Sequence, residues 1–467
     1  MEFFSLKRVL SISFLLVGAL SLSGCGAAPA PSVTYDVNLE IWGIFDDSSV
    51  FSPAIAEYKK INPNVKNITY RKLAVETYKD DLINAFASGK GPDIFLIRNS
   101  WRKAFEDKSA PAPTALISEQ EYRNRLVDVV ADDFINADKQ IYGVPLSVDS
   151  LALYYNKDLF NVAGITRPPE TWDEVVEHTR LLTSIDQFGS FTRSGIALGT
   201  GTNINRSSDI LIAIMMQYGA ELSTQGQEHQ VSLSGQKSEQ AYDFYAQFAQ
   251  ITSDVYSWNI RQDYSVDAFY KGNLAMMINY SWQYETIKQK NAKLNIGIAP
   301  LPQLDKTNPT NLANYWGFAV SKNMPAVTSG APVAMTLSPD KQNEARIFEA
   351  WQFLKYLTLA GKDKSVKLTS AFSGVSKEFP LETDPTEAYL LETNKPAARR
   401  DLVAKQQNDL ILSPFAYGNL IAKNWYQGDS DAADGVLIDM IDSIGRGEKS
   451  VPTAFNTASS RINLFTR

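Results

Sequence analysis

Cysteine and histidine are scarce in this chain of 467 residues, which contains one Cys and two His. Disulfide frameworks and thiolate zinc sites need several Cys, and most metal sites and activated nucleophiles need His partners. His178 and His229 lie far apart in the sequence, so neither has a second His nearby. We therefore predict no disulfide, no metal site, no cofactor and no catalytic residues of the Cys or His type. A carboxylate-only enzyme and an aromatic-rich binding protein both remain compatible with these counts.

The chain also lacks an excess of basic residues. It contains 45 Lys and Arg and 52 Asp and Glu, which gives a formal net charge of −7. A nucleic-acid partner is therefore not expected, because such binding needs a basic surface. The length exceeds the ~250–300 residues at which a single core stops growing, and so predicts two lobes. Aromatic residues are plentiful, with 23 Phe, 21 Tyr and 8 Trp available for a core and for a binding site.

Long hydrophobic runs are missing except near the start. Lys7 and Arg8 precede the mostly apolar stretch 9–20, which is shorter than the ~20 residues of a membrane span and fits an export signal. The following Leu-Ser-Gly-Cys ends at Cys25 and resembles the lipobox of bacterial lipoproteins. The resemblance implies a signal peptide (1–24), cleavage before Cys25, lipidation of its thiol and a net charge of −8 afterwards. Residues 25–35 then read as lipidated Cys and flexible tether. The alternative is a secreted protein with an unrelated Cys near its signal.

Strand-like and helix-like segments alternate in the rest of the chain. Strands are predicted at 37–42, 68–73 and 93–97, and helices at 53–60 and 77–88. This alternation favours an α/β fold. The stretch after residue 343 is predicted to be largely helical.

Six local patterns occur in an order typical of one family. They are GKGPDIFLI (89–97), YGVPLSVDSLALYYNKDLF (142–160), PPETWDEV (168–175), AFYKGNLAMMINYSW (268–282), GIAPLP (297–302) and NYWGFAVSKN (314–323), the last preceding a helix that ends in FLKYLT (353–358). Together they resemble the maltose-binding-protein-like extracellular solute-binding proteins of bacterial ABC importers. The resemblance covers nearly the whole chain after Cys25.

This resemblance implies a two-lobed periplasmic-binding-protein fold (type II), with discontinuous lobes joined by a hinge and a ligand cleft between them. By analogy the chain crosses between lobes near 147–150, 296–300 and 339–346. Lobe 1 would then comprise 36–148 and 297–345, and lobe 2 would comprise 149–296 and 346–467. A monomer on the extracytoplasmic side of the membrane would close around a carbohydrate and dock on permease subunits without transforming the ligand.

Most candidate ligand-binding residues lie at the ends of predicted strands, because ligands of open α/β sheets collect at the carboxyl ends of strands. Asp149 lies at the first predicted crossing, Trp316 precedes a strand, and Tyr417 and Trp425 come from the predicted helical part near the C-terminus. Carboxylates and amides suit sugar hydroxyls, and flat aromatic rings suit sugar C–H faces. The resemblance further implies that Asp149 matches an acidic ligand-binding residue and that Trp282 matches a sugar-stacking position. The candidates are Trp42, Asp46, Asp47, Asn99, Ser100, Trp101, Asp149, Asn203, Asn205, Tyr280, Trp282, Trp316, Tyr417 and Trp425.

Several alternatives stay open at this point. Each large aromatic could belong to the core, and each acid could cap a helix. Asp46 and Asp149 could be the paired carboxylates of a cell-surface glycoside hydrolase. A surface adhesin or sensor could use the same scaffold. Arg98, Arg102 and Arg206 lie near candidate loops and would suit a glycerol-phosphate ligand.

One acidic segment resembles a calcium loop but departs from it. In residues 429–435 the third acid and the glycine come one place late, and Met440 stands where a bidentate Glu is needed. We interpret the segment as an acidic helix start favoured by the helix dipole.

Overall fold

The computed structural model describes residues 35–223, 230–322, 337–361 and 365–465. The predicted signal peptide, Cys25, nearly all of the tether and His229 lie outside these residues. Within the described ranges, no helix is both long enough and apolar enough to cross a membrane.

Strands and helices alternate along the chain, as the sequence predicts. The strands are β1 (Val37–Gly43), β2 (Val65–Lys72), β3 (Ile94–Arg98), β4 (Ser109–Ala110), β5 (Asp149–Ser150), β6 (Ala152–Asn156), β7 (Ser184–Ile185), β8 (Phe191–Ile196), β9 (Leu274–Asn279), β10 (Ile296–Pro300), β11 (Asn311–Asn314), β12 (Trp316–Ser321), β13 (Ser365–Thr369), β14 (Ser376–Pro380) and β15 (Ala422–Lys423). The helices are α1 (Ser48–Ile61), α2 (Tyr78–Ala87), α3 (Arg102–Phe105), α4 (Glu119–Arg125), α5 (Asp128–Phe134), α6 (Lys157–Val162), α7 (Trp172–Leu182), α8 (Ser207–Gln217), α9 (Gln236–Ala246), α10 (Ser265–Tyr270), α11 (Gln283–Lys290), α12 (Pro339–Leu359), α13 (Pro385–Thr393), α14 (Arg400–Gln406), α15 (Ser413–Leu420), α16 (Ser430–Gly445) and α17 (Val451–Asn463).

The first lobe is built around a five-stranded sheet in the order β2-β1-β3-β12-β4. β1 runs parallel to β2 and β3, whereas β12 is antiparallel to β3. β3 occupies the centre, and its residues 94–97 are buried, as a continuous apolar run predicts. The core of this lobe draws on residues 35–148, on 313–320, on 345–403 and on Ala416 and Ala422. Its helix α12 packs against β1 and β12.

The second lobe is built around another five-stranded sheet, in the order β10-β6-β9-β8-β7. β9 is central and completely buried, and β8 runs parallel to it. Its core draws on residues 151–312, on Leu412 and Phe415, and on 425–462. Segments that belong to the first lobe alternate along the chain with segments that belong to the second, so each lobe is discontinuous in sequence.

A small three-stranded sheet, in the order β15-β11-β5, lies where the chain passes between the two cores. Val148 and Leu151 flank β5 and belong to different cores, and Leu312 and Ala313 within β11 do the same. The side chain of Asn311 braces these segments, since it donates to Leu151 O at 2.8 Å and accepts from Leu151 N at 3.2 Å. We call this sheet the hinge sheet.

The hinge sheet corrects two of the three predicted crossings. The crossing predicted at 147–150 coincides with β5, but residues 296–300 form β10, which pairs along its whole length with β6 inside the second lobe. The second crossing is therefore at β11. The third spans α15 and β15, because the chain from α12 to residue 403 buries its apolar side chains in the first core, Phe415 belongs to the second core, and Ala422 still belongs to the first. Residues 297–312 thus belong with the second lobe, and 346–403 with the first.

Candidate ligand-binding site

The carboxyl ends of β1 and β3 and the start of β12 meet at one edge of the first sheet. In the antiparallel pairing of β3 with β12, Trp316 lies directly opposite Arg98. The ring of Trp101 meets that of Trp316 edge to face with centroids 4.9 Å apart, and Phe45 approaches Trp316 at 5.6 Å. Phe45 is 48% exposed. This edge therefore presents an aromatic cluster next to a cation.

The second lobe presents an aromatic platform at the end of β9. Trp282 stacks on Tyr280 with centroids 4.7 Å apart and an interplanar angle of 22°. Tyr280 is buried and donates its hydroxyl to Asp209 at 3.0 Å, whereas Trp282 remains 40% exposed. Tyr280 thus supports the indole of Trp282, which keeps part of its surface exposed.

Asp149 anchors this platform to the hinge sheet. Its carboxylate accepts from Ser281 N at 2.9 Å, from Ser281 Oγ at 2.5 Å and from Ser150 N at 2.9 Å. Burial raises the pKa of Asp149 to about 7, against the lowering effect of the hydrogen bonds from Ser281. Both carboxylate oxygens accept hydrogen bonds from the protein, and those from Ser281 hold the backbone next to Trp282. The ligand contact of Asp149 stays a prediction.

Polar contacts join the two lobes at the start of α16. Lys79 Nζ of the first lobe lies 2.6 Å from Asp429 Oδ2 of the second, and Arg98 Nη1 donates to Ser430 Oγ and to Asp431 Oδ1 at 2.8 Å each. Asp429 is also the N-cap of α16 and accepts from the backbone N–H groups of Asp431 and Ala432. The acidic segment is therefore a helix start, as predicted. Within the described residues, no group of three or more His, Cys, Asp and Glu is placed to hold a metal ion.

Four polar side-chain atoms in this region are buried without a hydrogen-bond partner in the part of the chain that the structure describes. They are Ser100 Oγ, Trp101 Nε1, Arg206 Nε and Gln283 Oε1. Buried polar atoms are nearly always paired, so orphaned ones need an explanation. Two come from the first lobe beside Trp316, and two from the second lobe beside Trp282. Because these atoms come from both lobes, they fit a site in which a polar ligand supplies the missing hydrogen-bond partners.

Some predicted site residues have side chains that protein partners already occupy. Trp42 donates its indole N–H to Glu40 at 2.7 Å and lies under the guanidinium of Arg71. Asn203 donates to the backbone of Asn259 and accepts from Thr200 and Trp258. Trp425 is buried in the second core. We leave Trp42, Asn203 and Trp425 out of the proposed site for this reason.

The predicted polar residues of the first lobe are likewise engaged. Asp46 accepts from Lys395 Nζ at 2.6 Å and from Tyr389 Oη at 2.8 Å. Asp47 pairs with Lys72 at the surface. Asn99 donates to Asp133 at 3.1 Å. Because Asp46 is neutralised by Lys395 and Asp149 is held by three donors, this pair does not offer the free acid and base of a glycosidase.

Asn205 and Tyr417 have different environments. Asn205 accepts from Asn279 Nδ2 at 2.9 Å and donates to Tyr264 Oη at 2.6 Å, which fixes the loop that carries the next residue, Arg206. Tyr417 on α15 is 41% exposed and remains a candidate ligand contact. The side chain of Asn205 therefore holds the backbone next to Arg206, and its ligand contact stays a prediction.

Sequence reasoning missed Phe45 and Lys79. Phe45 comes two residues after β1, so the same strand-end argument that selected Asp46 could have found it. Lys79 lies within the first turn of α2, and no sequence pattern indicates that it meets Asp429, which comes 350 residues later. Arg98 and Arg206 are predicted only as possible phosphate ligands, although both lie at the site.

The comparisons with known proteins agree with this architecture. A family model described as bacterial extracellular solute-binding protein matches residues 43–364. The galactooligosaccharide-binding protein of Bacillus subtilis (strain 168) is 24% identical over 392 residues, covering 80% of this chain and 86% of the relative. The sn-glycerol-3-phosphate-binding periplasmic protein UgpB of Salmonella typhimurium is 22% identical over 435 residues, covering 88% and 87%.

A solved structure shows the same fold. The crystal structure of a cyclo/maltodextrin-binding protein complexed with maltotetraose superposes with a TM-score of 0.70 at 15% identity, covering 93% of this chain and 98% of that one. At this identity the likeness establishes the two-lobed type II fold.

Proposed function

The chain belongs to the bacterial extracellular solute-binding protein family, and we propose that it captures a carbohydrate between its lobes and delivers it to the permease of an ABC importer. The family consists of binding proteins, so the chain is a solute-binding protein and not an enzyme. A sugar or oligosaccharide is supported by relatives named for galactooligosaccharide and for multiple sugars.

The observation that carries the proposal is an aromatic surface at the strand ends of each lobe. Both surfaces lie next to cations that act on the same helix: Arg98, opposite Trp316, and Arg206, beside Trp282, both lower the pKa of Asp434 on α16. Flat rings pack well against sugar C–H faces, and the orphaned polar atoms around them suit hydroxyl groups. A neutral or charged saccharide would use both kinds of surface at once.

The hinge sheet is suited to the closing motion of the two lobes that the proposed function requires. Three short strands connect the lobes, so the lobes can rotate as rigid bodies while φ and ψ change only near β5, β11 and β15. A ligand that contacts both lobes binds the closed arrangement better than the open one and shifts the population towards it. The contacts of Lys79 and Arg98 with α16 would then form on closure.

We further propose that the protein is anchored to the extracytoplasmic face of the membrane by lipid on Cys25 and acts there as a monomer. The lipobox-like sequence supports the anchor. Metabolic labelling with an alkyne fatty acid tests it, because label should enter the wild type and not Cys25→Ser. Light scattering of the soluble form tests the monomer.

Titration calorimetry of residues 33–467 against a panel of mono- and oligosaccharides tests the main proposal. Saturable binding without release of reducing ends supports a transport receptor. If no saccharide binds to a folded sample, the carbohydrate part of the proposal fails. Release of reducing ends from a bound oligosaccharide would instead indicate a hydrolase.

A further inference from the structure

Arg206 stands out among the cations near the proposed site. Its guanidinium carbon lies 5.3 Å from the ring centroid of Trp282 and 5.8 Å from that of Tyr280. The guanidinium therefore lies beside the stacked pair, next to the ring that is open to a ligand. Its Nε is buried and lacks a hydrogen-bond partner among the described residues.

The other arginines considered as anion ligands are already engaged. Arg98 donates to Ser430 and Asp431, and Arg102 pairs with Glu106 at 2.6 Å. Arg206 forms no ion pair within 4.0 Å in the part of the chain that the structure describes. A guanidinium has five N–H donors in a planar fork, so a half-buried one without an acceptor is costly.

Three carboxylates lie near enough to act on this region, yet each is held by other groups. Asp149 is bonded to Ser150 and Ser281, Asp209 accepts from Tyr280 Oη, and Asp434 accepts from Ser208 Oγ at 3.2 Å. Burial raises the pKa of Asp149 and of Asp434 to about 7. Neither carries its full charge near neutral pH, so the surroundings of Arg206 are less negative than the residue types indicate.

The backbone fixes the position of Arg206. Its φ of 64° and ψ of 27° place it in the left-handed region, which a residue with a long side chain seldom adopts. The flanking Asn205 is tied to Asn279 and Tyr264, and Ser207 begins α8. Local strain of this kind persists where the surrounding structure holds it, often at ligand sites.

We propose that the ligand of this site is an anionic saccharide, whose carboxylate or phosphate is bound by Arg206 while its sugar ring lies on Trp282. The inference rests on the proposed carbohydrate function and narrows its ligand class. A planar guanidinium binds a carboxylate or phosphate through two parallel hydrogen bonds, which neutral hydroxyls cannot match in strength. An anion would also supply the acceptor that Arg206 Nε lacks.

Calorimetry with matched ligands tests the inference and separates the two sources of negative charge. The probes are trigalacturonate, the neutral galactotriose of equal length, glucose 1-phosphate, glucose and glycerol 3-phosphate. We expect at least one anionic saccharide to bind about 10-fold or more tightly than its neutral counterpart. Trigalacturonate as the preferred ligand identifies a sugar acid, and glucose 1-phosphate identifies a sugar phosphate.

Variants at Arg206 show whether this side chain carries the preference. Arg206→Gln should abolish the preference for the anion, and Arg206→Lys should retain part of it, since Lys keeps the charge but loses the fork. Arg206→Asn provides a variant that tolerates the left-handed backbone. Arg446→Gln is the matched control for net charge, because Arg446 caps the far end of α16, about 24 Å from its start. It should leave the preference unchanged.

The outcomes distinguish this inference from the broader function. Equal or tighter binding of the neutral saccharides, or an anion preference that survives Arg206→Gln and Arg206→Asn, overturns the inference and leaves a carbohydrate receptor in place. Binding of glycerol 3-phosphate alone also overturns it, because that ligand has no sugar ring. If no probe and no member of the wider carbohydrate panel binds to the folded protein, the carbohydrate function fails as well.

Discussion

Lys79 in the first turn of α2 and Asp429 at the N-cap of α16 form an ion pair of 2.6 Å that joins the two lobes. The Lys79 ammonium also lies 5.2 Å from the ring centroid of Trp101, so the pair covers the aromatic cluster of the first lobe. The contact therefore links lobe closure to the site itself.

Replacing Lys79 by Met should weaken closure while keeping apolar cover over Trp101. We expect binding of the saccharide identified by calorimetry to weaken by about 0.5–1 kcal/mol, as for a partly exposed pair. The wild type should also lose more affinity than Lys79→Met between about 0.02 M and about 0.5 M NaCl, because salt screens the ion pair. Titrations at both salt concentrations measure the difference.

Lys405→Met is the control for this variant. Lys405 pairs with Glu387 at 2.8 Å, and both residues belong to helices of the first lobe. Its loss should change neither the affinity nor its salt dependence. Equal effects of the two substitutions would contradict a cross-lobe role for Lys79.

Trp282→Ala should weaken ligand binding by at least ~1 kcal/mol and leave the fold intact. The indole is 40% exposed and rests on Tyr280, so its removal opens no cavity inside the core. Calorimetry measures the affinity, and circular dichroism checks the fold. Phe188→Ala removes an aromatic ring that is 82% exposed in the loop between β7 and β8, and it should bind like the wild type. Unchanged affinity of a folded Trp282→Ala would remove this residue from the site.

Gly418→Ala should destabilise the protein, whereas Gly435→Ala should stabilise it. A Cβ at residue 418 would come within 2.3 Å of Ser150 Oγ and 2.7 Å of Asn311 Nδ2, both in the hinge sheet. We expect a loss of about 1–3 kcal/mol in the free energy of unfolding. Residue 435 lies in α16, and a Cβ there meets no atom within 4 Å, so Ala should add about 0.5–1 kcal/mol through its helix propensity. Urea unfolding of both variants measures the change in the free energy of unfolding, which should be a decrease for Gly418→Ala and an increase for Gly435→Ala.

Asp434→Asn should flatten the dependence of stability on pH. Burial, and next the neighbouring Asp209, raise the pKa of Asp434 from 3.8 to about 7, while Arg98, Arg206 and the Ser208 hydroxyl oppose the shift. A carboxyl with a raised pKa is protonated in the folded state but ionised in the unfolded state between these values. Its contribution to stability is therefore present below about pH 4 and is lost as pH rises to about 7.

Urea unfolding midpoints at about pH 5 and about pH 8 measure this effect. The fall in the unfolding midpoint between these two pH values should be smaller in Asp434→Asn than in the wild type. A smaller fall remains, because Asp149 also has a raised pKa and its contribution to stability is lost over the same range. Asp439→Asn changes the same helix and the same formal charge at an exposed position, and should keep the wild-type decline. A decline in Asp434→Asn as steep as in the control would contradict a protonated Asp434.

The sequence predicts the sheets better than it predicts the lobes. The run 93–97 is apolar enough to indicate a central strand, and β3 takes that place. The apolar face of α12, in contrast, fits either sheet equally well. An amphipathic pattern indicates that one face of a helix is buried, but it does not identify the sheet against which that face packs. Only the packing of Trp351 and Phe353 in the first core decides the matter.

For the site as well, the sequence predicts where a residue lies on a strand better than it predicts which atoms that residue contacts. The end of the AMMIN strand correctly marks the stacked Tyr280 and Trp282 as neighbours at a sheet edge. The strand-end argument selects Trp42 equally well, but Glu40, two residues earlier on the same face of β1, takes its indole N–H. Which polar atoms remain unpaired depends on contacts made across the fold, and these cannot be inferred from local patterns.

The interleaving of the two lobes also governs how the chain can fold. Tyr35 donates to Glu349, 314 residues later, and Asn419 donates to Val148 O across 271 residues. The first lobe cannot complete its core until residues 345–403 have been made, and the second lobe needs residues up to 462. Contacts of such long sequence separation slow folding, since a large loop entropy is lost before they form. Until those residues have been made, each lobe lacks part of its core, so we expect the nascent chain to stay accessible to a translocase for most of its synthesis.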